Sequence, residues 1–302
     1  MREVVPPALA GERLDRVLAL LTARSRSEVA VLLAEGAVLV DAAVVTTGKG
    51  RVAAGQVVDV DLPALDRSGP RPDPTMPLDI RYADDSVIVV DKPPGLVVHP
   101  AAGHRDGTLV NAILARYPEV AGVGDPARPG VVHRLDIGTS GLLVVARTAE
   151  AYTSLVEQLA RRRVRRVYLA LVWGQLEAAS GLIDAPVGRS ARDPLRMTVS
   201  ETGRTARTRF EVVATYTSPA VVSLLRCRLE TGRTHQIRVH LAAIEHPVVG
   251  DPRYRGRRPA VDAPRPMLHA AELAFTHPRT GSEVSFTAEV PPDMAAVLAA
   301  LA

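Results

Sequence analysis

Gly130-Val131-Val132-His133-Arg134-Leu135-Asp136-Ile137-Gly138-Thr139-Ser140-Gly141-Leu142-Leu143-Val144-Val145-Ala146 joins a charged triplet to a glycine-bearing turn and an apolar run. The triplet is His133, Arg134 and Asp136; the run from Leu142 to Ala146 is short and continuous, which reads as a buried strand. Gly138 and Gly141 permit backbone paths and close approaches that a Cβ resists. A carboxylate held beside a guanidinium is favoured in its charged form. That suits a nucleophile, but structural ion pairs perturb carboxylates too, and for Arg-x-Asp alone the structural pair is the better reading. The rest of the chain has to decide.

At 302 residues the chain is long enough for one large domain and a small one. With 47% apolar and 23% charged residues it has an ordinary globular composition. No apolar stretch approaches the ~20 residues that a membrane span needs. Met1-Arg2-Glu3-Val4-Val5-Pro6-Pro7 lacks the apolar core of a secretory signal. The single cysteine, Cys227, excludes internal disulfides and an all-cysteine metal site, and is most simply a small buried hydrophobe. A cytosolic protein without membrane contact is expected.

Charge is distributed unevenly. The formal net charge is +4, yet positions 161–258 hold 19 Arg against 8 Asp plus Glu, a local balance of +11. A polyanionic partner engaged by one part of the surface would explain this. The chain has 35 Arg and only two Lys, Lys49 and Lys92. Arg forks onto phosphates and stacks on bases, although a GC-rich genome would produce the same bias, so the clustering carries more weight.

Outward from the opening stretch, residues 11–62 read as a small module. Leu14, Val17, Leu18 and Leu21 mark one helix face, and Val29, Leu32 and Leu33 a second helix that Ser27 can cap and Gly36 can end. Short strands are expected at Val38–Val40 and around Val58 and Val60. Residues 63–77, with Pro63, Pro70, Pro72, Pro74 and Pro77, read as a linker. A larger unit, 78–302, follows. Val87–Val90 reads as a strand, Thr108 and Thr148 as helix caps, and Tyr168–Trp173 and Val221–Glu230 as strands. The helix after Thr148 is expected to end in Arg161-Arg162-Arg163-Val164-Arg165-Arg166, where cations suit the helix dipole; beside a candidate site the same run suits phosphates. In Gly232-Arg233-Thr234-His235-Gln236-Ile237-Arg238-Val239-His240, Thr234 is placed to cap a helix whose start presents Arg233, His235 and Gln236 to an anion or a base edge. His235 and His240 fall on different helix faces with no completing ligand set, so zinc is rejected.

The small module resembles S4-type RNA-binding domains through Arg13-Leu14-Asp15, Ser25-Arg26, Gly36-Ala37-Val38, Lys49 and Gly55-Gln56-Val57-Val58; Asp41-Ala42 stands where such domains commonly carry Asn-Gly. Over nearly its whole length the chain resembles the pseudouridine synthases of the RluA/RluD type. The matching residues, in family order, are Asp91-Lys92-Pro93 with Gly95-Leu96-Val97-Val98-His99-Pro100, Gly107-Thr108-Leu109-Val110-Asn111-Ala112, His133-Arg134-Leu135-Asp136 with Thr139-Ser140-Gly141-Leu142, Tyr168 to Gly174, and Gly232 to His240. The resemblance implies an α+β fold, in which a mixed, largely antiparallel central sheet flanked by helices is joined to a small N-terminal S4-like α/β domain. It implies RNA pseudouridine synthesis without metal or other cofactor, Asp136 supplying the reacting carboxylate, Arg233 its ionic partner, and Tyr168 packing on the base. Arg134 would fill the space of a flipped base. His133, His235, Gln236 and Arg238, the run Arg161, Arg162 and Arg163, and Arg13 and Arg26 would contact RNA. The expected partner is RNA, large-subunit ribosomal before transfer RNA, and the expected state a monomer.

Two other classes compete. An RNA-binding assembly factor without catalysis would not need the intact set Asp136, Tyr168 and Arg233. A hydrolytic RNA-processing enzyme would need a second carboxylate or metal ligands near Asp136.

Overall fold

The spacing of Leu14, Val17 and Leu18 winds into α1 (Leu14–Thr22), and Val29, Leu32 and Leu33 line the inner face of α2 (Arg26–Ala34). A computed structural model describes residues 1–22, 24, 26–62, 69–101, 104–193 and 196–301, without the side chains of Arg26 and Ser27. The cap expected at Ser27 therefore lies outside the described residues. The chain divides into two units, Met1–Arg67 and Ser68–Ala302.

In the first unit both helices close onto an antiparallel sheet ordered β1 (Arg2–Val4), β4 (Val57–Val60), β2 (Val38–Val40), β3 (Ala43–Val44). Gly36 ends α2 at φ +74°, the left-handed conformation that favours glycine. Asp41 and Ala42 turn the β2–β3 hairpin with φ of 49° and 66°. The Asp41 carboxylate offsets this by accepting from the amide of Val57 and from Nε2 of Gln56, both at 2.9 Å. Ala42 has no polar side chain with which to do the same.

Among the described residues of the second unit, nine strands form one sheet. Its order is β5 (Ile80–Ala83), β6 (Val87–Lys92), β7 (Ser140–Ala146), β14 (Leu268–Thr276), β8 (Arg165–Trp173), β13 (Val222–Leu229), β12 (Arg207–Tyr216) and β9 (Ser180–Asp184), with β15 (Glu283–Thr287) also on β14. β10 (Val187–Arg189) and β11 (Met197–Val199) form a separate hairpin. Among the described residues, four α-helices accompany the sheet: α3 (Leu109–Arg116), α4 (Ala149–Ala160), α5 (Gln236–Ala243) and α6 (Pro292–Ala299). Thr148 caps α4 by accepting from the amide of Ala151 at 3.1 Å, and Thr108 donates through its amide and hydroxyl to Asn111 at the start of α3.

β7 is buried along its whole length, as its unbroken apolar run requires. It pairs antiparallel with β6 but parallel with β14, through His269↔Ser140 and Ala270↔Gly141. Gly141 takes φ +110°, and a Cβ there would lie 2.3 Å from the Ala270 carbonyl oxygen. The sheet can close at this point only because residue 141 has no side chain.

One expectation changes. α4 stops at Ala160, and Arg165 and Arg166 open β8 rather than ending the helix, paired with Ala274 and Leu273. The strand-prone run Val164, Val167 and Tyr168 beside them outweighs helical continuation. Of the proline-rich stretch, 63–68 lie outside the described residues; further on, the Asn111 amide donates to the Arg71 carbonyl at 2.7 Å and the Asp73 amide to the Asn111 carbonyl at 2.9 Å.

Replacing Ala42 by Gly is expected to stabilise the first unit by about 1 kcal/mol, since only glycine takes positive φ without cost; slower amide exchange in β2 and β4 would register it. Gly141→Ala should cost about 3 kcal/mol through the clash with β14, seen as faster exchange across β7.

Candidate active site

Asp136 sits on the turn entering β7, half-way into a cavity of about 460 Å³. That turn is held from behind by two buried cations. Lys92 Nζ, fully buried, donates to the carbonyls of Pro93 (2.8 Å), Leu96 (2.9 Å) and Ile137 (3.4 Å). Burial, helped by the charge of Arg265 and opposed by Asp136, brings its ammonium down to about 7. Arg265 Nη1 donates to the Gly138 carbonyl at 3.0 Å while its other nitrogens grip Asp293 at 2.6 and 2.9 Å. The carbonyls of the two residues after Asp136 are thus fixed, and the carboxylate with them.

The ionic partner of Asp136 is Arg238, at 2.9 Å, and not Arg233 as expected. Arg233 turns its Nε to the Thr205 carbonyl at 3.1 Å. The reason is the chain path before α5: His235, not Thr234, is the capping residue, in the left-handed conformation at φ 56°. This swings Arg233 to the cavity rim and leaves Arg238, inside the helix, facing Asp136. Arg238 is itself gripped by Asp251, fully buried, through Nε at 2.6 Å and Nη2 at 3.0 Å. Asp251 also accepts from the amides of Arg253 and Tyr254, and the Tyr254 ring lies 5.1 Å from the Arg238 guanidinium. Burial works against the Arg238 charge, but the bonds and charges of Asp251 and Asp136 prevail and raise it.

His235 stands 3.9 Å from Asp136 through Nε2, its Nδ1 bonded to the Tyr254 hydroxyl at 2.9 Å. Gln236 does not present itself to a ligand. Its amide is spent within the fold, accepting from Thr231 and the Arg233 amide and donating to Arg207 and Thr208. Tyr168 is buried in the cavity wall, where loss of solvent pushes its phenol up to about 12 against the pull of Arg166. His133 accepts from the Val144 amide through Nε2 at 3.2 Å; desolvation, then nearby Arg166, bring its imidazole down to about 3. Arg134 is exposed at the mouth, its Nη1 3.4 Å from His99 Nε2.

Arg161 pairs with Glu157 at 2.7 Å, Arg162 lines the cavity 3.6 Å from Glu230, and Arg163 is exposed. Among the lining residues, six arginines face only Asp136 and Glu230, so the cavity suits an anion. In the first unit Arg13 forks onto Asp15 at 2.9 and 3.1 Å, and the side chain of Arg26 lies outside the described residues. No group of three His, Cys, Asp or Glu that could hold a metal ion occurs among the described residues, and no helix among them is long and apolar enough to cross a membrane. Sequence reasoning missed Asp251, Tyr254 and Arg265. The signal for Asp251 was its place directly after Val248-Val249-Gly250, an acid closing an apolar run.

Asp251→Asn is expected to cost about 3–5 kcal/mol of stability, because it leaves a buried Arg238 under-compensated, measurable by urea unfolding. His133 is neutral in the fold down to about 3, whereas in the unfolded chain it protonates near 6.5. The unfolded state therefore binds the proton first, and this contribution is complete above pH 6.5 and lost as pH falls towards 3. A His133→Gln variant should show a shallower fall of Tm between pH 6.5 and 4.

The RNA pseudouridylate synthase family matches residues 86–243, and the S4 domain matches residues 12–58. An uncharacterized RNA pseudouridine synthase of Chloroflexus aurantiacus is 48% identical over 98% of this chain and 92% of its own length. A ribosomal large subunit pseudouridine synthase D of Nitrosomonas europaea is 45% identical over 98% and 86%. Among solved structures, human RNA pseudouridylate synthase domain containing 1 superposes with a TM-score of 0.57 at 30% identity, covering 72% of this chain and 86% of that one. A carboxylate fixed on the turn into β7, a tyrosine on β8 and an S4 unit ahead of them thus go with the sequence relationship: the chain belongs to the RNA pseudouridylate synthase family and is an RNA pseudouridine synthase carrying an S4 domain.

Proposed function

We propose that the protein isomerises uridines of large-subunit ribosomal RNA, with Asp136 as the reacting carboxylate and with no cofactor or energy source. The observation that carries this is Asp136 held 2.9 Å from Arg238 in a cavity walled by Tyr168. Relatives named ribosomal large subunit pseudouridine synthase D, from several bacteria at 41–45% identity, support the choice of RNA.

The chemistry is internally balanced. The bond from C1′ to N1 breaks, the uracil turns, a bond from C1′ to C5 forms, C5 loses a proton and N1 gains one. Nothing is oxidised and nothing leaves, so positioning and charge suffice. Asp136 acts on the nucleotide as nucleophile or ion-stabilising group. Tyr168 packs against the base, and with its phenol up at about 12 it is a proton donor rather than a base at neutral pH. The uridine leaves its stack at a cost of a few kcal/mol, and exposed Arg134 at the cavity mouth stacks into the gap. His235 contacts the bound nucleotide. The Arg161–Arg163 run and the S4 unit, with Arg13 and Arg26, hold the RNA backbone without reading sequence. The enzyme works as a cytoplasmic monomer.

Incubation with large-subunit ribosomal RNA and, separately, transfer RNA, followed by chemical mapping of pseudouridine, tests the reading. Product is expected in the ribosomal RNA without added metal or nucleotide, and none from Asp136→Asn. Product from that variant would refute the role of Asp136. Changing Arg161, Arg162 and Arg163 to Ala should weaken RNA binding at low salt and flatten the slope of log K against log salt by up to about 2. An unchanged slope would return the run to a solvated corner.

A further inference from the structure

Arg166, the second residue of β8, lines the same cavity as Tyr168, two positions along the strand and on the same face. It is 7% exposed, its Nε is buried without a partner, and no carboxylate pairs with it among the described residues. The two other arginines buried to this degree are compensated: Arg238 by Asp136 and Asp251, Arg265 by Asp293. A buried cation without a counter-charge is costly. Consistently, burial pulls the Arg166 guanidinium below its ordinary value.

The surroundings fit a ligand rather than an accident of packing. At Gly232 a Cβ would lie 2.6 Å from Arg166 Nη1, so the glycine leaves the room that the guanidinium occupies. Nearby His133 accepts through Nε2, which puts its proton on Nδ1, and Nδ1 also lacks a partner. This wall of the cavity therefore holds unmet donors. A uracil is neutral and cannot supply the missing charge, and Asp136 is already engaged with Arg238. RNA carries one negative charge per nucleotide. Two strand positions separate Arg166 from Tyr168 by ~7 Å, which is within the span of a single nucleotide.

We infer that Arg166, with the Nδ1–H of His133 near it, binds the backbone phosphate of the nucleotide whose base lies on Tyr168. This assignment rests on the reaction proposed above. It gives the unpaired guanidinium a purpose: the charge is left uncompensated in the free protein and satisfied when RNA enters, so a stripped nucleoside would engage the site poorly.

The test uses the full chain, a large-subunit ribosomal RNA transcript, and the same transcript lightly ethylated on its phosphates. For Arg166→Met, Tm of the free protein is expected to hold or rise, since a costly buried charge is removed, while kcat/KM falls about 10- to 100-fold. Arg166→Lys should recover part of the loss. With the wild type, molecules ethylated at one phosphate next to the modified uridine are excluded from product; Arg166→Met should lose that exclusion and keep the others. Gly232→Ala, which retains the charge but displaces Nη1, should lose it too. A lower Tm with unchanged kcat/KM, or an identical exclusion pattern in Arg166→Met, would overturn the assignment. Absence of pseudouridine from wild type on the untreated transcript would overturn the reaction itself, and with it this role.

Discussion

Asp136, Arg238 and Asp251 form a chain of alternating charge, two carboxylates about one guanidinium, that runs from the cavity into the core. Its outer end is accessible and its inner end is fully buried. A buried ionic chain is a poor way to gain stability, because desolvation consumes most of the attraction. Its value lies in geometry. Asp251 takes two of the guanidinium nitrogens, Nε and Nη2, which leaves Nη1 for Asp136, and the set of two carboxylates and one guanidinium carries one net negative charge. To bring the three together, the turn before β7, helix α5 and the loop at 251–254 must all be in place. The left-handed His235 and the glycine contact of β7 with β14 are what that convergence requires.

The same logic governs the backbone around the carboxylate. Lys92 and Arg265 come from distant parts of the chain and hold the carbonyls of Ile137 and Gly138. Neither side chain lines the cavity itself, although Arg265 also donates to the carbonyl of the lining residue Leu268 at 3.2 Å. Positioning to within a fraction of an ångström is worth orders of magnitude in rate, and buried donors held on carbonyls are stiff tethers.

Much of this was legible in the sequence. The apolar run of β7, the alternation of Leu225, Cys227 and Leu229 in β13, and the caps at Thr108 and Thr148 follow from local pattern alone. Asp136 and Tyr168 stood out through motif order. The pairing of Asp136 did not. Arg233 and Arg238 share one motif, and which of them turns inward depends on the backbone conformation at His235, a residue type enriched at positive φ but found there only in a minority of cases. Asp251 belongs to none of the motifs, and only the fold shows it buried against Arg238. Arg166 was hidden in a run of arginines that looked like a helix end, because strand register is decided by partners more than a hundred residues away.

The placement of β14 sets a timetable for the enzyme. Without it, β5–β6–β7 and β8–β13–β12–β9 are two separate sheets, one leading from the Asp136 turn and the other bearing Tyr168. Among the described strands, residues 268–276 alone pair with both. During synthesis these emerge after Asp136, Tyr168 and Arg238, so the two halves of the sheet can join only once β14 has been made. The central strand of the sheet is thus among the last parts of the chain to be made, and the long-range pairings that unite the two halves form late.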